Sequence, residues 1–305
     1  MSEAFLVTGV LGCIGAWTVR TLVREGARVV GFDLGTDRGR LELVLEADEL
    51  SRLELVRGDV TDLAALERAL DAHEITHVVH LAALLVPFAQ ADPPRGALVN
   101  VVGTANVFEA VKRRRHRIRG VAYASSIGAY DVSDGDRIGE GALGRPRTHY
   151  GVHKQANEGT ARVFWHDGEV ASVGLRPYIV YGPGRDSGLT AAPTLAMAAA
   201  ARSDSYRIPF GGRAQYHYAP ETAGAFVSAA RAAADGAIVR NLGGPAVSMA
   251  EVVAAIEAAA PEAAGRITYA DDPLPFPEEF EASAPLSTPL ADGVRATIEH
   301  FRGRL

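Results

Sequence analysis

The sequence predicts an α/β protein built on a doubly wound parallel sheet, with a small C-terminal lobe. Two observations predict it. Through the first 175 residues, short apolar runs alternate with amphipathic stretches. The runs lack period-two polarity, so their strands are buried on both faces and need helices on each side of the sheet. Beyond residue 178 the composition turns to Gly, Pro and Ala, and the alternation stops.

In chain order, the predicted strands are Phe5–Thr8, Arg28–Phe32, Leu53–Val56, Val78–Leu81, Val121–Ala124 and Ser172–Leu175. The predicted helices between them are Ala16–Arg24, Leu63–Leu70, Ala97–Lys112 and Tyr150–Trp165. A helix near Leu195–Arg202 follows, then the helix Glu221–Ala233 and a returning strand Ala237–Asn241. The proline-rich stretch Asp271–Pro289 is expected to wander over the surface. The expected division is a nucleotide-binding domain over 1–177, rejoined by about 212–243, and a substrate lobe over 178–211 and 244–305.

The formal net charge of -6 gives the molecule no general attraction for nucleic acid or an anionic membrane. The basic run Lys112–Arg119 ends a helix, where it suits the negative end of the dipole and faces solvent. Cys13 is the only cysteine, which excludes an internal disulfide and a thiolate metal cluster. No stretch is long and apolar enough to span a bilayer. The first residues run directly into a strand without a signal-peptide pattern, so a cytoplasmic location is expected.

Gly9, Gly12 and Gly15 form a Gly-x-x-Gly-x-x-Gly turn between the first strand and the first helix. Such glycines permit a tight turn, a close approach of backbone to a pyrophosphate, and tight helix–strand packing. Free N–H groups at the helix start then face the phosphates. Asp33 ends the second strand, 18 residues after Gly15, near the spacing at which a carboxylate meets the adenosine ribose hydroxyls. It would repel a 2′-phosphate, so NAD is expected in preference to NADP, although Arg38 and Arg40 follow closely and offer positive charge. These features make the sheet a Rossmann-type one.

Tyr150 and Lys154 lie four apart, on one face of a helix. Tyrosine is a poor base near neutrality, with a reference pKa of about 10. An ammonium about 4 Å away, at an effective dielectric near 20, stabilises a phenolate by roughly 4 kcal/mol, or about three pKa units. Ser125 and Ser126 end the strand Val121–Ala124, where side chains of a parallel sheet face the ligand crevice. A Ser126 hydroxyl there can bond both a substrate oxygen and the Tyr150 phenol. Tyr150, Lys154 and Ser126 are therefore the candidate catalytic set.

Together these segments resemble the extended short-chain dehydrogenase/reductases, or NAD-dependent epimerase/dehydratase family, over nearly the whole chain. Thr8-Gly-Val-Leu-Gly-Cys-Ile-Gly15 resembles the family's nucleotide turn, which implies cofactor contacts from Cys13 and Ile14 as well as the glycines. Gly58-Asp59-Val60 resembles its adenine-contacting segment. His80-Leu81-Ala82-Ala83 resembles the strand end beside the cofactor, and Asn100-Val-Val-Gly-Thr-Ala-Asn106 its Asn-x-x-Gly-Thr stretch. Ser125-Ser126-Ile-Gly-Ala-Tyr130 is similar to the segment bearing the catalytic Ser or Thr. The resemblance also implies that Lys154 holds the nicotinamide ribose. Leu175-Arg-Pro-Tyr178-Ile-Val180-Tyr-Gly-Pro-Gly184 resembles the family's segment next to nicotinamide and substrate, and Pro289–Glu299 its closing helix.

The departures narrow the activity. Family dehydratases carry an Asp-Glu pair where Ile127-Gly128 stand, so dehydration is not expected. Asp131 replaces the Gly usual in sugar-nucleotide epimerases, and Glu221 replaces an Asp. The C-terminal lobe is shorter than those that clasp a whole nucleotide-sugar. Ser125, Ser126, Arg185, Arg213 and His217 are the candidate substrate contacts, arginine's planar fork suiting a carboxylate or phosphate. No second His or acid cluster accompanies His217, so no metal site is expected. The substrate is expected to be a small polyhydroxylated molecule of the sugar or sugar-acid kind. Net oxidation by NAD is the favoured reading and cofactor-retaining epimerisation the alternative. A non-catalytic cofactor-binding regulator is disfavoured because both Tyr150 and Lys154 are present. The resemblance also implies a homodimer through the helices that include Tyr150–Trp165.

Overall fold

The computed structural model describes residues 3–135, 137–233 and 235–304. Its centre is a sheet of eight parallel strands: β1 Ala4–Thr8, β2 Arg28–Asp33, β3 Leu53–Arg57, β4 His77–His80, β5 Gly120–Ala124, β6 Ser172–Arg176, β7 Ala237–Gly243 and β8 Ala284–Pro285. They lie side by side in the order β8-β7-β6-β5-β4-β1-β2-β3. The order reverses between β1 and β4, and ligands of open α/β sheets bind at such a switch point, beyond the strand C-termini. β1, β4 and β6 are buried along their whole length, as unbroken apolar runs require. β3 departs from that expectation: as an edge strand it is exposed at Glu54, Leu55 and Arg57.

Helices α1 Cys13–Arg24 and α6 Ala219–Ala232 cover one face of the sheet. Helices α2 Leu63–Ala72, α3 Gly103–Lys112 and α4 His149–Gly168 cover the other. Local sequence sets their ends. Asp62 and Thr148 cap α2 and α4 by accepting hydrogen bonds from the N–H groups of Ala65 and Gly151, each at 3.0 Å. The α3 stretch begins as one π turn over Leu98–Val102. The basic run after α3 is neutralised as expected of a surface patch: Arg113 and Arg114 pair with Glu67, and Arg114 and Arg117 with Asp71.

A second apolar core lies beside the sheet. It gathers Ile179, Tyr181, Met197, Ile208, Phe210, Met249, Ile256, Val294 and Ile298. These residues come from helices α5 Ala192–Ala201, α7 Met249–Ala259 and α8 Leu290–Arg302 and from short strands. Arg213–Tyr218 does not join the main sheet; it pairs with Ile179–Tyr181 and Ala246–Ser248 in a small sheet of its own. The stretch 271–289 is not merely a surface wanderer. Leu274, Phe276 and Phe280 are buried, and Ala284–Pro285 supplies the edge strand β8. Proline removes backbone donors but leaves neighbouring apolar side chains free to pack.

Candidate active site

A cavity of about 550 Å³ opens at the switch point. Gly9, Gly12, Cys13, Ile14 and Gly15 form its floor at the end of β1, with Asp33, Asp59, Val60, Leu81, Ala82 and Ala83 along one side. Ser125, Ser126, Tyr150, Lys154, Tyr178, Val180 and Arg185 line its other end. The expected site residues thus converge, apart from three. Asn100 lies behind the wall, where its side chain bonds the Leu84 N–H (2.7 Å) and C=O (2.9 Å) and holds that segment in place. Arg213 donates to the Ala246 carbonyl (2.6 Å) and faces Glu251, away from the cavity. His217 is sealed in the lobe, where its Nδ1 accepts from the Tyr178 N–H at 3.1 Å. Burial pushes the His217 imidazole down to about 3, so it is neutral. The strand Arg213–Tyr218 carries both residues past the site rather than into it.

The glycine turn fits a dinucleotide. Gly9 has φ +69°, and a Cβ there would lie 2.6 Å from the Ala82 nitrogen. A Cβ at Gly15 would lie 2.4 Å from the Gly9 carbonyl oxygen. Any side chain at either position would break the turn and fill the cradle that a pyrophosphate needs. Asp33 is oriented by the N–H groups of Leu11 (3.1 Å to Oδ2) and Gly35 (3.0 Å to Oδ1). Each oxygen keeps capacity to accept a ribose hydroxyl. Asp59 is turned similarly by the Thr61 N–H at 2.9 Å. Cys13 is held inert, its thiol pushed up to about 12 by burial.

At the reacting end, Lys154 is buried and its Nζ donates to the Ala124 carbonyl at 2.6 Å. It lies 5.3 Å from the centre of the Tyr150 ring. Loss of water lowers the Lys154 amine to about 8. The Tyr150 phenol departs from the sequence expectation: burial holds it above its ordinary value, and the Ser126 hydroxyl and Arg185 charge only partly oppose this. The amine is committed to the Ala124 carbonyl, and burial keeps the Tyr150 phenol protonated at neutrality in the protein alone. Ser126 Oγ also accepts from the Gly128 N–H at 3.0 Å, which fixes its rotamer toward the cavity.

Ser125 is committed elsewhere. It donates to Glu158, one turn beyond Lys154 on α4, and Glu158 pairs with Arg176 at the end of β6 through two bonds of 2.7 Å. Arg176 also donates to Tyr130, the Glu140 carbonyl and Asn241. This knot beneath the site escaped the motif reading, although the Lys154-x-x-x-Glu158 spacing already puts both side chains on one helix face. The two departures at 131 and 221 also acquire roles. Asp131 accepts from Ser133 and pairs with Arg147 at 2.8 Å. Glu221, at the start of α6, accepts from Ser287 and Thr288 and pins the chain after β8.

Near Arg185 the wall is made by Leu84, Leu85, Val86, Phe88, Leu189, Thr190 and Phe276. Arg185 donates from Nη2 to Thr190 Oγ1 at 3.0 Å, and its buried Nε has no partner. No group of three or more His, Cys, Asp or Glu able to hold a metal exists among the described residues, and none of the described helices is long and apolar enough to cross a membrane.

The sequence model of the NAD dependent epimerase/dehydratase family matches residues 5–243. UDP-glucuronate 4-epimerase 6 of Arabidopsis thaliana is 30% identical over 187 residues, which are 58% of this chain and 40% of that protein. UDP-glucose 4-epimerase of Mycolicibacterium smegmatis is 33% identical over 183 residues, 59% of this chain and 57% of that one. The matches thus span about half the length of these curated relatives. Among solved structures, UDP-glucose 4-epimerase of Thermus thermophilus in complex with NAD superposes with a TM-score of 0.82 at 26% identity, covering 99% of this chain and 100% of that one. L-threonine dehydrogenase of Clostridium difficile superposes at 0.84 with 20% identity over 99% and 98% of the two chains, a likeness of fold alone. With a matching family model over most of its length and a cavity shaped for its dinucleotide, the chain belongs to the NAD dependent epimerase/dehydratase family, and its cofactor is NAD.

Proposed function

We propose that this protein oxidises a hydroxyl of a small, polyhydroxylated, anionic substrate of the sugar-acid kind. The observation that carries the proposal is the meeting of Ser126, Tyr150, Lys154 and Arg185 in one cavity with the nucleotide turn. Bound NAD supplies the hydride acceptor and a positively charged ring. Tyr150 takes the hydroxyl proton through its phenol oxygen. Ser126 bonds the same substrate oxygen and the phenol, so the proton moves along a fixed line. Lys154, anchored on Ala124, contributes its charge and a ribose contact. Arg185, whose side chain lines the cavity, offers its guanidinium charge to the substrate's anionic group. The apolar wall of Leu84, Leu85, Leu189 and Phe276 excludes water.

Epimerisation of a sugar or nucleotide-sugar, with the cofactor retained between half-reactions, is the second reading. The relatives at 30–33% identity that are named UDP-sugar 4-epimerases favour it. Incubation with NAD and a panel of sugars, sugar acids and UDP-sugars separates the two. Reduced-nicotinamide absorbance growing in proportion to substrate supports oxidation; isomer formation without it replaces oxidation by epimerisation. An Arg185→Ala protein with an unchanged KM would refute the anionic contact. We further propose a homodimer through the faces of α3 and α4.

A further inference from the structure

Arg40, raised by the sequence as a phosphate contact, lines the same cavity as Asp33 and is not free. Its Nη1 donates to the Leu11 carbonyl at 3.2 Å, and the Leu11 N–H donates to Asp33. One residue therefore links the guanidinium to the ribose carboxylate. From the opposite wall, Asp186 takes Arg40 in a fork: Nε lies 3.1 and 3.0 Å from its two oxygens, and Nη2 2.5 Å from Oδ1. Ser187 Oγ accepts a further bond from Nη2 at 3.2 Å.

The loop that presents Asp186 is itself docked. Trp17 Nε1 on α1 donates to the Pro183 carbonyl at 2.9 Å. Positive φ angles at Gly182, Gly184 and Gly188 shape the turn that carries the carboxylate across the cleft. The contact is thus built by distant parts of the chain, 146 residues apart.

We propose that Asp186 is a cofactor-selecting residue: by engaging Arg40 from across the cleft, it denies a 2′-phosphate the arginine that stands next to the adenosine ribose site. An exposed ion pair adds under about 1 kcal/mol to stability, so the role of the pair is charge cancellation and direction rather than cohesion. A 2′-phosphate must displace a two-pronged carboxylate to reach Arg40 and also face the negative charge of Asp33. NAD meets neither obstacle.

The test is calorimetric titration of the whole protein with NAD and with NADP, without substrate, so its outcome is independent of the reaction catalysed. Asp186→Asn should tighten NADP about tenfold, the worth of one charge-assisted contact, and change NAD by less than threefold. Arg40→Ala/Asp186→Asn should return NADP affinity to that of the parent. The same substitutions in an Asp33→Ser background, where ribose-carboxylate repulsion no longer masks weak binding, keep the comparison measurable. Unchanged NADP affinity on Asp186→Asn in both backgrounds would overturn the proposal. So would a gain that survives removal of Arg40, because repulsion by Asp186 alone would then explain it.

Discussion

Tyr150 and Lys154 are four residues apart, yet their proton affinities move in ways that the spacing alone does not dictate. Burial raises the phenol and lowers the amine to about 8. The sign follows from desolvation, which penalises each group's charged form. As pH rises, the free protein loses the Lys154 charge around pH 8, before the phenolate forms. The oxidation proposed above would therefore need an added positive charge near the phenol, which the nicotinamide ring of bound NAD would supply. Spectroscopic titration of the phenolate, taken as the difference from Tyr150→Phe protein, should give a midpoint above about 10 without NAD, the reference value for tyrosine, and at least one unit lower with it. An NAD-insensitive midpoint would remove the electrostatic role given to the cofactor. Tyr150→Phe should also lower kcat by at least about a hundredfold, the span of acid–base assistance, with NAD affinity unchanged in the same titration calorimetry.

At the scale of elements, the ends of β5 and β6 are held against α4 by the Ser125–Glu158–Arg176 knot, and the site inherits its rigidity from there. Arg176 is buried and Glu158 nearly so. Breaking a buried pair by neutralising one partner costs about 3–5 kcal/mol, because the other charge stays behind. Glu158→Gln should lower the denaturant midpoint accordingly, and Glu158→Gln/Arg176→Leu should recover part of the loss; equal destabilisation in both proteins would show that the charge left behind is not the cause. Local patterns explain what was legible here. β1 with its glycine turn, β2 ending on Asp33, and the Tyr150–Lys154 face are each written within about 30 consecutive residues. The rest depends on distant pairing. Tyr206–Ile208 finds its partner in Ile267–Tyr269, and Arg213–Tyr218 pairs with strands on either side of it in sequence. That pairing turns Arg213 and His217 aside, which no local spacing could reveal. Asp186 and Glu158 act through partners 146 and 18 residues away, pairings that no local spacing shows.

For the molecule as a whole, the surface of α3 and α4 carries the remaining consequence. Leu98 and Val102 lie one turn apart at 47% and 44% exposure, and Val152 and Val163, on the adjoining α4, at 50% and 53%. Single exposed apolar residues are ordinary, but four on α4 and on the π turn packed against it suit a face that association covers. Residues i and i+11 return to nearly the same helix face after three turns, so Val152 and Val163 point the same way. A twofold axis beside α4 would lay this face on its own copy, since an isologous contact needs a self-complementary patch. The chain of 32.2 kDa should then elute with about twice that mass under light scattering. Val152→Glu/Val163→Glu should yield monomer that still binds NAD, because neither residue lines the cavity. A parent protein that stays monomeric well above micromolar concentration would end the dimer proposal without touching the chemistry, because every group assigned a part in oxidation comes from one chain.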